Sequence, residues 1–180
     1  DPVVLFSDSD YANCRETRKS ITGKATYLFG CLTSWQSKRQ PIIATSTHEA
    51  EIIAMSHVAE EGVWQRKFLD ELGIFGGIDV LGTDGRLRST PLLGDNKATT
   101  FTANTPSTGV RSRHIDVRFL KVREYVSSGE LRVIHVRTEY NVADFLTKGL
   151  TIHKFALFRE LLMGDPPRKD QSRPRAAAAA

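Results

Sequence analysis

The sequence predicts an α/β fold, a five-stranded mixed sheet with helices on both faces. Three observations carry that prediction. The first forty residues hold three β-branched and aromatic runs separated by turn signals, the pattern of an antiparallel meander. The apolar period then changes from strand-like to helical at Thr47 and stays helical to Leu72. After about residue 90, short apolar strands alternate with helical stretches, giving the order β-β-β-α-β-α-α-β-α.

Each element has a local reason. Val3 to Phe6 is a short apolar strand that delivers Asp8 at its end, and the polar, basic stretch Asn13 to Ser20 is a loop. Thr22 to Phe29 and Leu32 to Ser37, split at Gly30, read as a hairpin. In the helix from Thr47 to Leu72, the residues Ala50, Ile53, Ala54, Trp64, Phe68 and Leu72 share one face. Ser46 or Thr47 serves as its N-cap ahead of Glu49, and Gly73 closes it. Glu51 lies at the edge of the apolar stripe, so it points toward the sheet without entering the core.

The Gly-rich stretch of about 75–90 is an irregular insertion. Pro91 to Leu93 is a short, wholly apolar strand that ends at Asp95. Lys97 to Ala103 forms a short helix, broken by Asn104 to Gly109. Ile115, Phe119, Val122 and Val126 space a helix that stops before Gly129, and Leu131 to Val136 alternates as a strand. Asn141 then caps a helix with Asp144 in its first turn, which Ile152 to Met163 extends. Residues 1–163 make one domain, and the basic, Ala-rich segment 164–180 is expected to be a disordered tail.

Composition bounds the function classes. A chain of 180 residues, 40% hydrophobic and 26% charged, builds one domain with a real core. Of the net charge of +4, the segment Gly164 to Ala180, with four basic and two acidic residues, carries half. The balance permits a polyanionic partner without demanding one. Basic residues cluster at Arg15, Arg18, Lys19 and Lys24 and again at Arg111, Arg113, Arg118, Lys121 and Arg123, patterns that solvated faces also produce. Cys14 and Cys31 are too few for a disulfide framework and read as reduced thiols of an intracellular protein, one of them buried. No signal peptide is evident, and no apolar run approaches the roughly 20 residues of a membrane span. With Asp1 in place of an initiating Met, the chain is expected to be a piece of something longer.

Four acidic signatures carry the chemistry: Phe6-Ser7-Asp8-Ser9-Asp10, Glu49-Ala50-Glu51, Gly94-Asp95-Asn96 and Asn141-Val142-Ala143-Asp144. Each places a carboxylate at the end of an apolar run or the start of a helical one, and the topology, not the spacing alone, is expected to bring them to one edge of the sheet. Magnesium is hard and takes oxygen ligands, usually a few carboxylates. Two such ions about 3.5–4 Å apart clamp the attacking and leaving oxygens of an in-line phosphoryl displacement. Four gathered carboxylates repel one another and hold protons until a cation arrives. No convincing Ser/His/Asp or Cys/His arrangement competes.

The series SDSDYAN, TSWQSKRQPIIATSTHEAEIIAMSHVAEEGVW, GDN, RSRHIDVRFLKVREYV and NVADFLTKGL resembles the ribonuclease H domain of copia-type LTR retrotransposon Pol polyproteins, from about Phe6 to Leu162. Any one piece is weak; their order and spacing are specific. The resemblance implies the RNase H-like fold, with an antiparallel meander of three strands plus two parallel strands. It implies cleavage of the RNA strand of an RNA–DNA hybrid during reverse transcription, with two Mg²⁺ ions or Mn²⁺. It assigns the metal and the catalysis to Asp8, Glu51, Asp95 and Asp144. It also implies an upstream reverse transcriptase domain, no membrane, and residence in a cytoplasmic virus-like particle or the nucleus. Asn13, Lys38, Asn96, Arg113 and His114 are candidate nucleic-acid contacts. Many cellular ribonucleases H carry a histidine in a flexible loop before the last helix. Here Val136 to Tyr140 has none, and His135 sits in the strand before it.

Plainer readings stand beside these. Asp8 could be a strand-end turn residue, with Asp10 as the ligand in its place. Glu49 and Glu51 face about 200° apart on a helix, so only one reaches the site. Glu49 in a first turn also serves as a capping residue, and Asp144 as a helix-start acid. Trp35 is more often core than a stacking platform, and His114 is explained as a satisfied structural histidine. Two other functions stay open: a catalytically inactive retrotransposon relic that only binds nucleic acid, and another enzyme of the same metal-dependent superfamily.

Overall fold

Residues Val3–Asp10 form β1, the centre of the sheet. In a computed structural model that describes residues 1–74, 88–105 and 113–163, the remaining strands are β2 (Ile21–Leu28), β3 (Cys31–Arg39), β4 (Thr90–Gly94) and β5 (Leu131–His135). They lie in the order β3-β2-β1-β4-β5. β1, β2 and β3 pair antiparallel, while β1 with β4 and β4 with β5 pair parallel. The expected mixed sheet is therefore present.

The β2–β3 hairpin closes over Phe29 and Gly30, with φ of 50° and 81°. Positive φ at both central residues is the turn whose twist suits a hairpin, and it comes easily to Gly30 but is rare for a bulky residue such as Phe29. Helices cover both faces. Helix α1 (Thr47–Glu71) packs on β1, β2 and β4, and α2 (Lys97–Asn104) and α3 (Arg113–Ser127) complete that layer. Val3, Leu5, Met55, Val58, Val63, Leu69, Leu92, Val122 and Val133 form the core between them. Gly62 brings α1 close to the sheet, since a Cβ there would lie 2.2 Å from Leu5 Cδ1. On the opposite face Phe6, Ala25 and Tyr27 pack against Val142, Ala143 and Leu162. These last come from a 3-10 helix, Val142–Leu146, and from α4 (Ile152–Met163).

Several expectations change. β1 does not stop at Phe6: its ladder with β2 continues through Asp8–Gly23 to Asp10–Ile21, so Asp8 sits inside the strand. Asp144 lies on a five-residue 3-10 helix separate from α4, not on one long final helix. The stripe on α1 holds only in its first half. Ala50, Ile53 and Ala54 are buried, but Trp64 is 61% exposed, and Phe68 and Leu72 are also exposed; Val58, Ala59, Val63 and Leu69 take the inner face. Over seven turns the apolar positions drift from one face to another, and Trp64 and Phe68 stack on each other outside, with ring centroids 5.4 Å apart. Trp35 is likewise exposed, on the outermost strand. Cys31 is exposed and Cys14 half-buried, so neither thiol is in the core. The insertion of about 75–90 falls largely outside the described residues, as does the tail 164–180.

Candidate metal centre

The four carboxylates come from four different parts of the chain: β1, α1, the residue after β4, and the 3-10 helix Val142–Leu146. Asp8 is on β1 two residues beyond the last β1–β4 pair, Phe6 with Leu93, so its side chain stands where the two central strands part. It is buried, and the Thr147 hydroxyl donates to its Oδ2 at 2.5 Å. Gly23 opposite Asp8 leaves the room this requires: a Cβ there would meet Ala143 O at 2.6 Å and Thr147 Cγ2 at 2.7 Å. Glu51 follows the α1 N-cap, where Ser46 Oγ accepts the Glu49 N–H at 3.1 Å. Asp95 comes directly after β4, ahead of Asn96, which caps α2 by accepting the Thr99 N–H at 3.1 Å. The backbone there is pinned from β5, with His135 Nε2 3.1 Å from Asp95 O and the Val136 N–H donating to Gly94 O at 3.0 Å.

One ligand oxygen from each of Asp8, Glu51 and Asp95 lies within 4.8 Å of the others. Their electrostatics show the strain of that arrangement. Burial, opposed by the Thr147 hydrogen bond and reinforced by the charges of Asp95 and Asp144, pushes the Asp8 carboxyl up from 3.8 to about 6. Burial, with the charges of Asp8 and Asp95, pushes Glu51 up from 4.5 to about 8. Buried carboxyls that resist ionisation beside one another fit a site completed by a cation. Three carboxylate oxygens at this spacing are the hard donor set that magnesium or manganese takes.

Asp144 stands outside that group of three, although its charge is felt by Asp8. It is buried, 1% exposed, and its Oδ1 is 2.5 Å from Lys148 Nζ. The segment carrying it is tied to β1 by Asn141, whose Nδ2 donates to Ser7 O at 3.0 Å while Oδ1 accepts the Ala143 N–H at 3.3 Å. The competitors find other roles or places. Glu49 is buried and turned back to its own helix start, its Oε2 accepting from Thr45 N–H and Thr45 Oγ1 at 2.6 Å each. Asp10 is half-buried and outside the group of three.

Among the candidate nucleic-acid contacts, Asn13 and Lys38 are exposed, and Asn96 Oδ1 is engaged by its cap. The side chains of Arg113 and His114 lie outside the described residues. Sequence reasoning passed over Thr147 and Lys148. They follow Asp144 by three and four residues, the helical spacing that returns a side chain to the same face, and that signal could have found them.

No protein-family model matches the chain. It is 37% identical over 163 residues, 90% of its length, to the Retrovirus-related Pol polyprotein from transposon TNT 1-94 of Nicotiana tabacum. It is 34% identical over 154 residues, 85% of its length, to that from transposon RE1 of Arabidopsis thaliana. The chain is homologous to copia-type Pol polyproteins. It spans about a tenth of the length of these relatives, 11% of the tobacco protein and 10% of the Arabidopsis one. To a Transposon Ty1-JR2 Gag-Pol polyprotein of Saccharomyces cerevisiae it is 30% identical over 156 residues, 86% of the chain and 8% of that protein.

Its fold is that of ribonuclease H. RNase H1 from the halophilic archaeon Halobacterium salinarum superposes with a TM-score of 0.52 at 16% identity, covering 81% of this chain and 93% of that one. The RNase H domain of rv2228c from Mycobacterium tuberculosis superposes at 0.51 and 13%, covering 81% and 89%. LC11-RNase H1 in complex with an RNA/DNA hybrid superposes at 0.50 and 16%, covering 81% and 93%. Among the described residues no helix is long and apolar enough to cross a membrane.

Proposed function

We propose that this Pol-like segment is a divalent-metal-dependent endoribonuclease that hydrolyses the RNA strand of RNA–DNA hybrids during retrotransposon reverse transcription. The observation that carries this reading is the juxtaposition of Asp8, Glu51 and Asp95 within 4.8 Å, on a ribonuclease H fold in a homologue of Pol polyproteins. Asp8, Glu51 and Asp95 would hold one Mg²⁺ or Mn²⁺ ion, and Asp144 with Asp8 a second. Bound there, such ions supply charge neutralisation and a coordinated water acidic enough to attack a phosphodiester.

The rest is the work of the chain itself. Asp8 and Glu51 give up their protons when the site fills, since their raised pKa values reflect burial and mutual repulsion. Thr147 fixes the rotamer of Asp8, and Asn141 holds the Asp144 segment against β1. No protein nucleophile would be needed, because the ions that these carboxylates would hold would supply an activated water. Lys38 and Asn13 lie exposed for phosphate or sugar contacts, a salt-dependent term with little sequence preference. Selection for the RNA strand follows from its 2′-hydroxyls and A-like shape. That an RNase H1 of the same fold is known in complex with an RNA/DNA hybrid supports this choice of substrate. The relatives are polyproteins, which supports a reverse transcriptase as the neighbouring partner.

The test is cleavage of an end-labelled RNA–DNA hybrid by the purified chain with Mg²⁺, with EDTA, and with Asp8→Asn. Cutting confined to the RNA strand, metal-dependent and lost in Asp8→Asn, is the expected result. A folded protein that binds the hybrid yet never cuts it, even with Mn²⁺, refutes the reading and leaves a nucleic-acid binder.

A further inference from the structure

Lys148 is not used by the reading above, yet it sits against the one carboxylate that stands apart from the other three. Its Nζ is 2.5 Å from Asp144 Oδ1, an atom that accepts no other hydrogen bond among the described residues. The two partners differ sharply in their surroundings. The Asp144 side chain is 2% exposed and cannot move away without moving the 3-10 helix, whereas the Lys148 side chain is 42% exposed and ends a flexible four-carbon stem. An ordinary surface pair at this spacing has both partners in solvent and contributes little. Here one partner is a buried charge that must be neutralised by something. The ammonium also lies in the field of Asp8 and Asp10. Burial works against its charge, and Asp144, Asp8 and Asp10 outweigh that.

We propose that Lys148 is a displaceable counter-ion built into the metal centre, holding Asp144 in the metal-free protein and leaving it when a divalent ion binds between Asp144 and Asp8. This rests on the metal-site reading of the previous section and adds to it an order of filling. The position framed by Asp8, Glu51 and Asp95 is open to a first ion, while the Asp144 position is closed by a lysine that competes with the second. The exchange is ionic: the ammonium leaves the carboxylate still protonated and returns to water, and no covalent bond changes. Competition of this kind is a negative coupling between two cations at one carboxylate, and couplings of that sort are worth about 5- to 150-fold in affinity.

Two measurements test it on the intact chain. The first is calorimetric titration of Mn²⁺ into wild type, Lys148→Met, Lys148→Arg and Lys148→Met with Asp144→Asn. Lys148→Met is expected to tighten the weaker of two binding events by about tenfold. Lys148→Arg should bind like wild type, and the double variant should lose the gain. The second needs no variant: acetylation of Lys148, read by mass spectrometry, should speed up when Mn²⁺ saturates the wild-type protein, because the amine is released. Mn²⁺ binding in wild type with no gain in Lys148→Met, or acetylation that Mn²⁺ leaves unchanged or slows, overturns the Lys148 assignment alone. No Mn²⁺ binding by any of the proteins overturns the metal-site reading with it.

Discussion

Replacing Asp8 with Asn should stabilise the metal-free protein at pH 8 while abolishing its response to magnesium. In the fold the Asp8 carboxyl is pushed up from 3.8 to about 6, so the native state keeps its proton where the unfolded chain has lost it. The penalty for ionising it is therefore absent below about pH 4, grows between about pH 4 and 6, and is complete above that. At about 1.4 kcal/mol per pH unit it amounts to ~3 kcal/mol, an upper figure for a coupled cluster. Asn removes the penalty but accepts a weaker hydrogen bond from Thr147, a loss of about 1 kcal/mol against a charged acceptor. The expected gain at pH 8 in EDTA is thus about 1–3 kcal/mol, or roughly 2–10 °C in midpoint for a domain of this size. Thermal unfolding followed by circular dichroism at pH 4, 6 and 8, with EDTA or Mg²⁺, reads it directly. The gain should vanish at pH 4, and saturating Mg²⁺ should reverse the order by stabilising wild type alone. An Asp8→Asn protein less stable than wild type at pH 8 in EDTA, or a gain as large at pH 4, would refute the reasoning that repulsion and burial at Asp8 oppose folding.

Other predictions concern the same site and its supports. Because Glu51 is pushed up to about 8, the metal-free wild type should lose stability as pH rises from about 4.5 to 8, and Mg²⁺ affinity by calorimetry should climb over pH 6–8 as protons leave. Thr147→Val removes the donor to Asp8 and should cost about 10- to 100-fold in metal affinity or cleavage rate, with the rise of the pH–rate profile moved to higher pH. Gly23→Ala drives a Cβ into Ala143 O and Thr147 Cγ2 and should cost about 1–3 kcal/mol in urea unfolding. Leu69→Ala should cost about 2–5 kcal/mol and the neighbouring Phe68→Ser less than about 1, a contrast that urea midpoints resolve.

The fold was legible in the sequence where local chemistry decided it. Gly30 marks the hairpin, Ser46 the start of α1, and Pro91 to Leu93 too short and apolar a run to be anything but a buried strand. It was illegible where a neighbour decided. β1 extends to Asp10 because β2 continues to pair with it, and nothing in Ser7-Asp8-Ser9-Asp10 announces a strand. Trp64, Phe68 and Leu72 match a helical period but lie outside, because in the later turns of α1 the inner face passes to Val63 and Leu69. At the site, helix geometry says only that one of Glu49 and Glu51 can face it, and the structure groups Glu51 with Asp8 and Asp95 while Glu49 is occupied at Thr45. The Lys148–Asp144 pair carries a sequence signal in its four-residue spacing, whereas the contact of Thr147 with Asp8, 139 residues away, is set by the tertiary fold alone.

The strand order has a consequence for how the chain is made. β1, β2 and β3 are neighbours in sequence and can close before the elements that follow them are made. β4, which covers the other side of β1, begins at Thr90, about eighty residues after β1 ends. A nascent chain shorter than that presents the future central strand as an open edge, with the unpaired N–H and C=O groups that invite another chain to add on. Ser7, Asp8, Ser9 and Asp10 lie along that edge. While β1 waits for β4, charge and hydroxyls on its exposed end discourage the intermolecular pairing that a purely apolar strand would seek.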